Sequence, residues 1–376
     1  MKRLAQIVLF VVVALLSACS NNKVVRETEP IYTPRYAQGF AIERDKASGE
    51  LLLCVKNPWQ GAEGVEFYSV INHDKPAKRI VAMSSSHSAM LEAIGCSEHL
   101  VGISGCRYIS SPTICKAIEE GKVVEVGYDS ALDFERIKSL QVDAVLLYGV
   151  AGEAKVQTNK FNELGIPYIY IGDYLETSPL GKAEWVVAVA YICGLEEQGK
   201  EFFKGVEERY NALRNQKHCS AYRPRVMLNL PYRDTWFMPP HNSYMVRLIE
   251  DAGGEYILTE NGTDAAENEN LSTKSTPISL EEALVLAMKA DFWINLGQIA
   301  SKAELCATAP RFAGVDAVKF GRLYNNTKRT NDSRGSDFWE SGAVRPDIIL
   351  EDLIKILHYE APTDSLYYYK KLGDRS

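Results

Sequence analysis

The chain has 376 residues and a formal net charge of −7 at pH 7, with 46% hydrophobic and 24% charged residues. That acidic balance, without any basic run, excludes a protein that tracks nucleic-acid phosphates. The length exceeds what one core usually covers, so two lobes are expected.

Residues 1–18 read as a cleaved signal peptide. Lys2 and Arg3 form a positive start, and Ile7 to Leu16 form an apolar stretch too short to span a bilayer comfortably. Leu16-Ser17-Ala18-Cys19 then places small residues before a cysteine. This tetrad resembles a bacterial lipobox, which implies lipidation of Cys19. Residues 19–35 follow as a polar, lipid-anchored tether.

Residues 36–77 alternate apolar and polar side chains and predict a small β-meander, with a hairpin turn near Ala47-Ser48-Gly49. From Arg79 the pattern becomes strand, Ser-rich turn, helix, strand, the rhythm of an α/β lobe over 78–178. Residues 179–217 have helical spacing and predict a connecting helix, with Gly194 and Gly199 as candidate interruptions. A second α/β lobe is expected over 218–376. It restarts the first at an offset of 146 residues: Arg79-Ile-Val-Ala-Met is echoed by Arg225-Val-Met-Leu-Asn, and Glu135 by Glu281. Both copies then run to an acidic residue and a strand, Asp143 and Asp291. The fold class is therefore α/β: two Rossmann-like lobes with parallel sheets, joined by a long α-helix, with a small β-meander in front.

Besides Cys19 the cysteines are Cys54, Cys96, Cys106, Cys115, Cys193, Cys219 and Cys306, with no CxxC. Cys106 and Cys115 are close enough in sequence for a loop disulfide. The others read as small buried apolar residues.

The segments "RIVAMSSSHSAMLEAIGCSEHLVGIS", "VGYDSALDFERIKSLQVDAVLLYG", "LGIPYIYIGDYLETSPLGKAEW", "NSYMVRLIEDAGGEYI" and "ISLEEALVLAMKADFWINLG" occur in that order. Together they resemble the helix-linked substrate-binding lipoproteins of ABC importers for iron–siderophore complexes, haem and cobalamin, over roughly residues 78–360. The resemblance implies a ligand held between the lobes, little hinge closure, and one surface carboxylate per lobe for docking to a permease dimer. Glu135 and Glu281 match those positions.

Ligands of two-lobed α/β proteins collect at the carboxyl ends of strands, where loops lead into helices. The loops at those positions offer Ser86, His87, Arg107, Tyr128, Tyr148 and Tyr174 in the first lobe. The second offers Tyr232, Arg233, Trp236, His241, Arg329 and Trp339. Aromatic faces suit a ring-rich ligand, and arginines suit carboxylate or catecholate oxygens. The expected ligand is an iron complex, a ferric siderophore or haem, with cobalamin as the alternative. No cofactor is expected. The expected partners are this small-molecule metal complex, the permease dimer and, through the lipid, a membrane. Nucleic acid is not expected, and the protein should be a periplasmic monomer.

An enzyme is the rival reading. His87 and His241 fall in corresponding loops and could ligate a metal, as a tetrapyrrole chelatase would require. There is no GxSxG, HExxH, P-loop or GxGxxG motif, so no enzyme is expected.

Overall fold

A computed structural model describes residues 26–128, 131–149, 153–216, 222–258 and 275–374. The signal segment, Cys19 and Cys219 lie outside the described residues.

A four-stranded antiparallel sheet comes first, in the order β1-β2-β3-β4: β1 (Thr28–Tyr32), β2 (Phe40–Asp45), β3 (Leu51–Lys56) and β4 (Glu66–Ile71). The β2–β3 turn falls where alternation placed it. Asp45 Oδ1 accepts from the backbone N–H of Ala47 and Ser48, and Gly49 takes φ +75°. Leu51 to Val55 are all buried, so both faces of β3 are covered. β1 begins inside the stretch read as a tether. It shows no alternation and carries Pro30, and its register slips between Pro30 and Tyr32, which suits an edge position.

The first lobe is a five-stranded sheet in the order β7-β6-β5-β8-β9, parallel throughout. Its strands are β5 (Ile80–Ala82), β6 (Leu100–Ile103), β7 (Val124–Glu125), β8 (Ala144–Leu147) and β9 (Tyr168–Tyr170). Its helices are α1 (Ser85–Ala93), α2 (Pro112–Glu119), α3 (Phe134–Ser139) and α4 (Glu153–Leu164). Ser84, Ser111 and Asp133 cap the first three with side-chain oxygens.

The connection between lobes is two helices, α5 (Pro179–Cys193) and α6 (Glu196–Arg214), packed against each other. Gly194 divides them: it ends α5 in the left-handed region at φ +68°, which a side chain would disfavour. Gly199 lets them approach, since a Cβ there would collide with the Cβ of Ala190. α5 is buried along nearly its whole length and belongs to the first lobe. The linking element is the 19-residue α6, about 28 Å long. Its first turn faces His73, with Glu196 at 3.6 Å, and its end ties to the second lobe through Tyr210, whose hydroxyl donates to Asp251 at 2.7 Å.

The second lobe has the sheet order β12-β10-β14-β15-β16, with only β16 antiparallel. In chain order it comprises β10 (Arg225–Leu228), β11 (Thr235–Met238), α7 (Tyr244–Asp251), β12 (Glu255–Tyr256) and β13 (Thr276–Ser279). There follow α8 (Leu280–Ala287), β14 (Phe292–Ile294), α9 (Lys302–Thr308), α10 (Asp316–Lys319), β15 (Leu323–Asn325), α11 (Pro346–Tyr359) and β16 (Lys370–Lys371). Among the described residues, no helix is long and apolar enough to cross a membrane.

Two buried carboxylates fasten the front sheet to the first lobe. Glu184 on α5 accepts from the backbone N–H of Arg35, Tyr36 and Ala37 at 2.8–2.9 Å and from the Tyr32 hydroxyl at 2.7 Å. Glu176 accepts from the N–H of Gly39 at 2.9 Å and from Trp185 Nε1 at 3.0 Å. A lone Glu184 inside the apolar run from Trp185's helix was the one sign in the sequence of this buried contact.

Candidate functional site

Because the first sheet is parallel, the loops after its strands gather at one edge. Tyr128 and Tyr174 are exposed there, and Tyr148 is half-buried with its ring edge-on to Tyr174 at 6.2 Å. The Tyr174 hydroxyl donates to the Gly149 carbonyl, which fixes the ring against the loop. Arg107 is exposed, its guanidinium 4.6 Å from the centre of the Tyr108 ring. Ser86 is buried beside its helix cap, with its hydroxyl 3.0 Å from that of Ser84.

His87 departs from expectation: it is 0% exposed and cannot meet a ligand in this arrangement. Its Nδ1 lies 3.1 Å from the Leu146 carbonyl, an acceptor, so that nitrogen carries a proton. Its Nε2 faces the buried carboxylate of Asp173 at 3.6 Å. Burial opposes ionisation of Asp173, but the ammonium of Lys182, 3.0 Å away, and the His87 ring outweigh it and hold the carboxyl below its ordinary range. Lys182 was not anticipated. It reaches the interlobe face, 6.0 Å from the centre of the Tyr244 ring on α7.

In the second lobe the segment after β10 is not an open loop. Tyr232 and Thr235 exchange backbone hydrogen bonds across a tight turn, and β11 then pairs antiparallel with β13. Alternation along β11 sends Trp236 inward. It is fully buried against Trp293 and Phe312, and its Nε1 donates to the Leu228 carbonyl at 3.0 Å. Trp236 is therefore core, not cleft lining. The turn itself is presented outward: Tyr232 is 63% exposed, and the Arg233 guanidinium lies 5.3 Å from its ring. Arg233 takes φ +57°, rare for a side chain of its size. His241 is half-buried, edge-on to Tyr256 at 5.6 Å.

The segment 326–341 crosses to the first lobe. Asn331 Nδ2 donates to the carbonyls of Arg107 and Ile109 at 3.0 and 2.9 Å. Glu340 is buried and accepts from the backbone N–H of Ser110 at 2.6 Å and Ser111 at 3.2 Å, at the start of α2. Burial pushes its carboxyl up to about 7, against the pull of those two N–H groups. Arg329 pairs with Asp337 and lies 4.5 Å from the Tyr367 ring centre. Trp339 is 54% exposed, standing edge-on to buried Phe338. Where the two loops meet, a cavity of about 340 Å³ is lined by Ile109, Ser110 and Cys115 on one side and Lys328, Arg329 and Asn331 on the other.

Glu135 and Glu281 occupy the same place in the two repeats. Each is the second residue of its helix, α3 or α8, behind a capping Asp133 or Ser279. Both are exposed; Glu281 pairs with Arg311 at 2.8 Å. Cys106 and Cys115 are not bonded to each other. Among the described residues, neither His87 nor His241 belongs to a group of three or more metal donors.

The chain is 29% identical over 306 residues to an uncharacterized lipoprotein of Methanocaldococcus jannaschii, covering 78% of this chain and 68% of that one. Its fold is similar to that of a possible iron-binding, periplasmic solute-binding protein of Staphylococcus epidermidis, with a TM-score of 0.58 at 16% identity over 76% of this chain and 100% of that one. A periplasmic haem-binding protein of Pseudomonas aeruginosa matches with a TM-score of 0.56 at 17% identity, over 80% and 99% of the two chains. The periplasmic binding protein family matches residues 80–330, and the chain belongs to it.

Proposed function

We propose that this protein is the substrate-capturing lipoprotein of an ATP-driven importer, and that it holds an iron complex, a ferric siderophore or haem, between its lobes. The observation that carries the reading is the chemistry of the facing edges. Exposed tyrosines at 128, 174 and 232 and the Trp339 indole stand with the Arg107 and Arg233 cations in a protein that is acidic overall. Ring faces and guanidinium groups together favour a flat or ring-rich ligand with anionic oxygens. The similarity to solved iron- and haem-binding proteins of this fold supports the same class. In this reading the lipid on Cys19 keeps the protein at the periplasmic face of a bacterial membrane. Glu135 and Glu281 then dock to the two halves of the permease.

The test is tryptophan fluorescence during titration with a ferric siderophore, haemin and cyanocobalamin. Trp339 is the exposed reporter, so saturable quenching by an iron complex that weakens in Trp339→Phe supports the proposal. Saturation by cyanocobalamin alone would move the ligand to the cobalamin class. Absence of binding by all three would sink the reading.

A further inference from the structure

A cluster of two buried thiols and a half-buried imidazole lies at the end of the first lobe opposite the cleft. α1 starts at the cleft edge and runs about 14 Å to the base of the sheet, where Cys96 follows it and a single 3-10 turn carries His99. α5 descends from the same edge and ends on Cys193. Cys96 and Cys193 are 1% and 4% exposed. Their sulfurs and a ring nitrogen of His99 all lie within 4.8 Å of one another. His99 Nδ1 is buried with no hydrogen-bond partner, an arrangement that costs stability unless something fills it. The Cys96 thiol, and then burial, push the Cys193 thiol above its ordinary range.

We propose that Cys96, His99 and Cys193 form a binding site for monovalent copper. Donors bound about 2.0–2.3 Å from a common centre stand roughly 4 Å apart, so a small side-chain adjustment brings these three onto one ion. Thiolate sulfur selects soft cations, copper(I) and zinc among them. Zinc in structural sites takes four ligands, and among the described residues no fourth His, Cys, Asp or Glu donor joins this group. Three donors, two of them buried, suffice to complete the shell of copper(I). Binding forms two copper–sulfur bonds and one copper–nitrogen bond, releases the two thiol protons to solvent, and leaves the metal's oxidation state unchanged. The ion would clip the loop after α1 to the end of α5, away from the cleft and independent of its ligand.

The experiment is anaerobic titration of the reduced full chain with copper(I) against a chromophoric chelator, with zinc(II) run in parallel. One equivalent of copper withheld from the chelator, with loss of two titratable thiols, is the expected result. Cys96→Ser and Cys193→Ser should each abolish that uptake. His99→Gln should weaken it by more than the about 10–100-fold that an outer-sphere substitution costs. Cys106→Ser should leave it unchanged. Circular dichroism separates a lost ligand from a lost fold. X-ray absorption of the unaltered, copper-loaded chain must show sulfur and nitrogen neighbours even if a variant does not fold. Tighter zinc than copper binding, a copper shell without sulfur, or a Cys96–Cys193 disulfide whose reduction confers no copper uptake would each overturn the assignment.

Discussion

In the first lobe, Asp143 accepts from the backbone N–H of Arg79 at 2.9 Å, just before β5; in the second, Asp291 accepts from that of Arg225 at 2.7 Å, at the start of β10. The same staple therefore joins two neighbouring strands at the base of each sheet, and the helix glutamates 135 and 281 repeat with it. Above those matched bases the cleft edges differ. The first lobe closes its edge internally, with His87 and Asp173 buried together and half-buried Lys182 paired to Asp173. The second sends Asn331 and Glu340 across to its partner lobe. The matched bases hold the scaffold, and the edges can differ because loops carry binding groups without carrying the sheet.

The largest expected effect falls on a feature the first lobe alone possesses. Glu184→Ala leaves four donors at the front sheet without their acceptor, and should lower unfolding free energy in urea by at least about 3 kcal/mol. A loss under about 1 kcal/mol would mean that the front sheet holds its place without the carboxylate.

Next comes the crossing contact. Glu340 has a folded-state pKa of about 7 against an ordinary value of 4.5. Between those values the native state holds more protons than the unfolded chain, so stability falls as pH rises from about 4.5 to 7, by up to about 3 kcal/mol. Glu340→Gln should flatten that part of the profile, measured by urea unfolding across pH. An unchanged slope in the variant would remove Glu340 as its source.

Gly335→Ala probes the same crossing by shape. A Cβ there would overlap the Tyr108 carbonyl, so the two lobes must part locally, at about 1–3 kcal/mol. Thermal unfolding should register the loss, and small-angle scattering should register a wider cleft. An unaltered midpoint would show that the crossing segment yields without strain.

The smallest effect on stability sharpens what the lobes share. Glu135→Arg and Glu281→Arg change exposed side chains, and the unfolding midpoint and ligand affinity should stay as they are while uptake into cells is lost. Weakened ligand binding in either variant would refute the docking role.

Much of the scaffold could be read from local pattern. Alternation located the β2–β3 hairpin, and the 146-residue offset matched Arg79 to Arg225 and gave each copy its acidic residue, Asp143 and Asp291, though not that each binds the N–H of the neighbouring strand. Gly194 was visible as an interruption, though not that it separates a buried α5 from the linking α6. The site was less legible. Trp236 sits among charges and aromatics, so it reads as a binding residue. Its burial depends on β13, whose distant Ile278 pairs with it. His87 follows a run of three serines, and nothing local announces that Asp173 and Lys182 close over it.

The sequence by itself determined the α/β class, the repeated strand–helix pattern, the exposed carboxylate in each copy and the aromatic and cationic content of the cleft loops, because these follow from periodicity and spacing along the chain. Tertiary structure alone decided which of those loop side chains face outward, that Glu340 bridges the lobes, and that Cys96, His99 and Cys193 meet. Each of those outcomes depends on contacts between residues far apart in sequence, and burial against a distant strand or helix leaves no period in the chain that makes it.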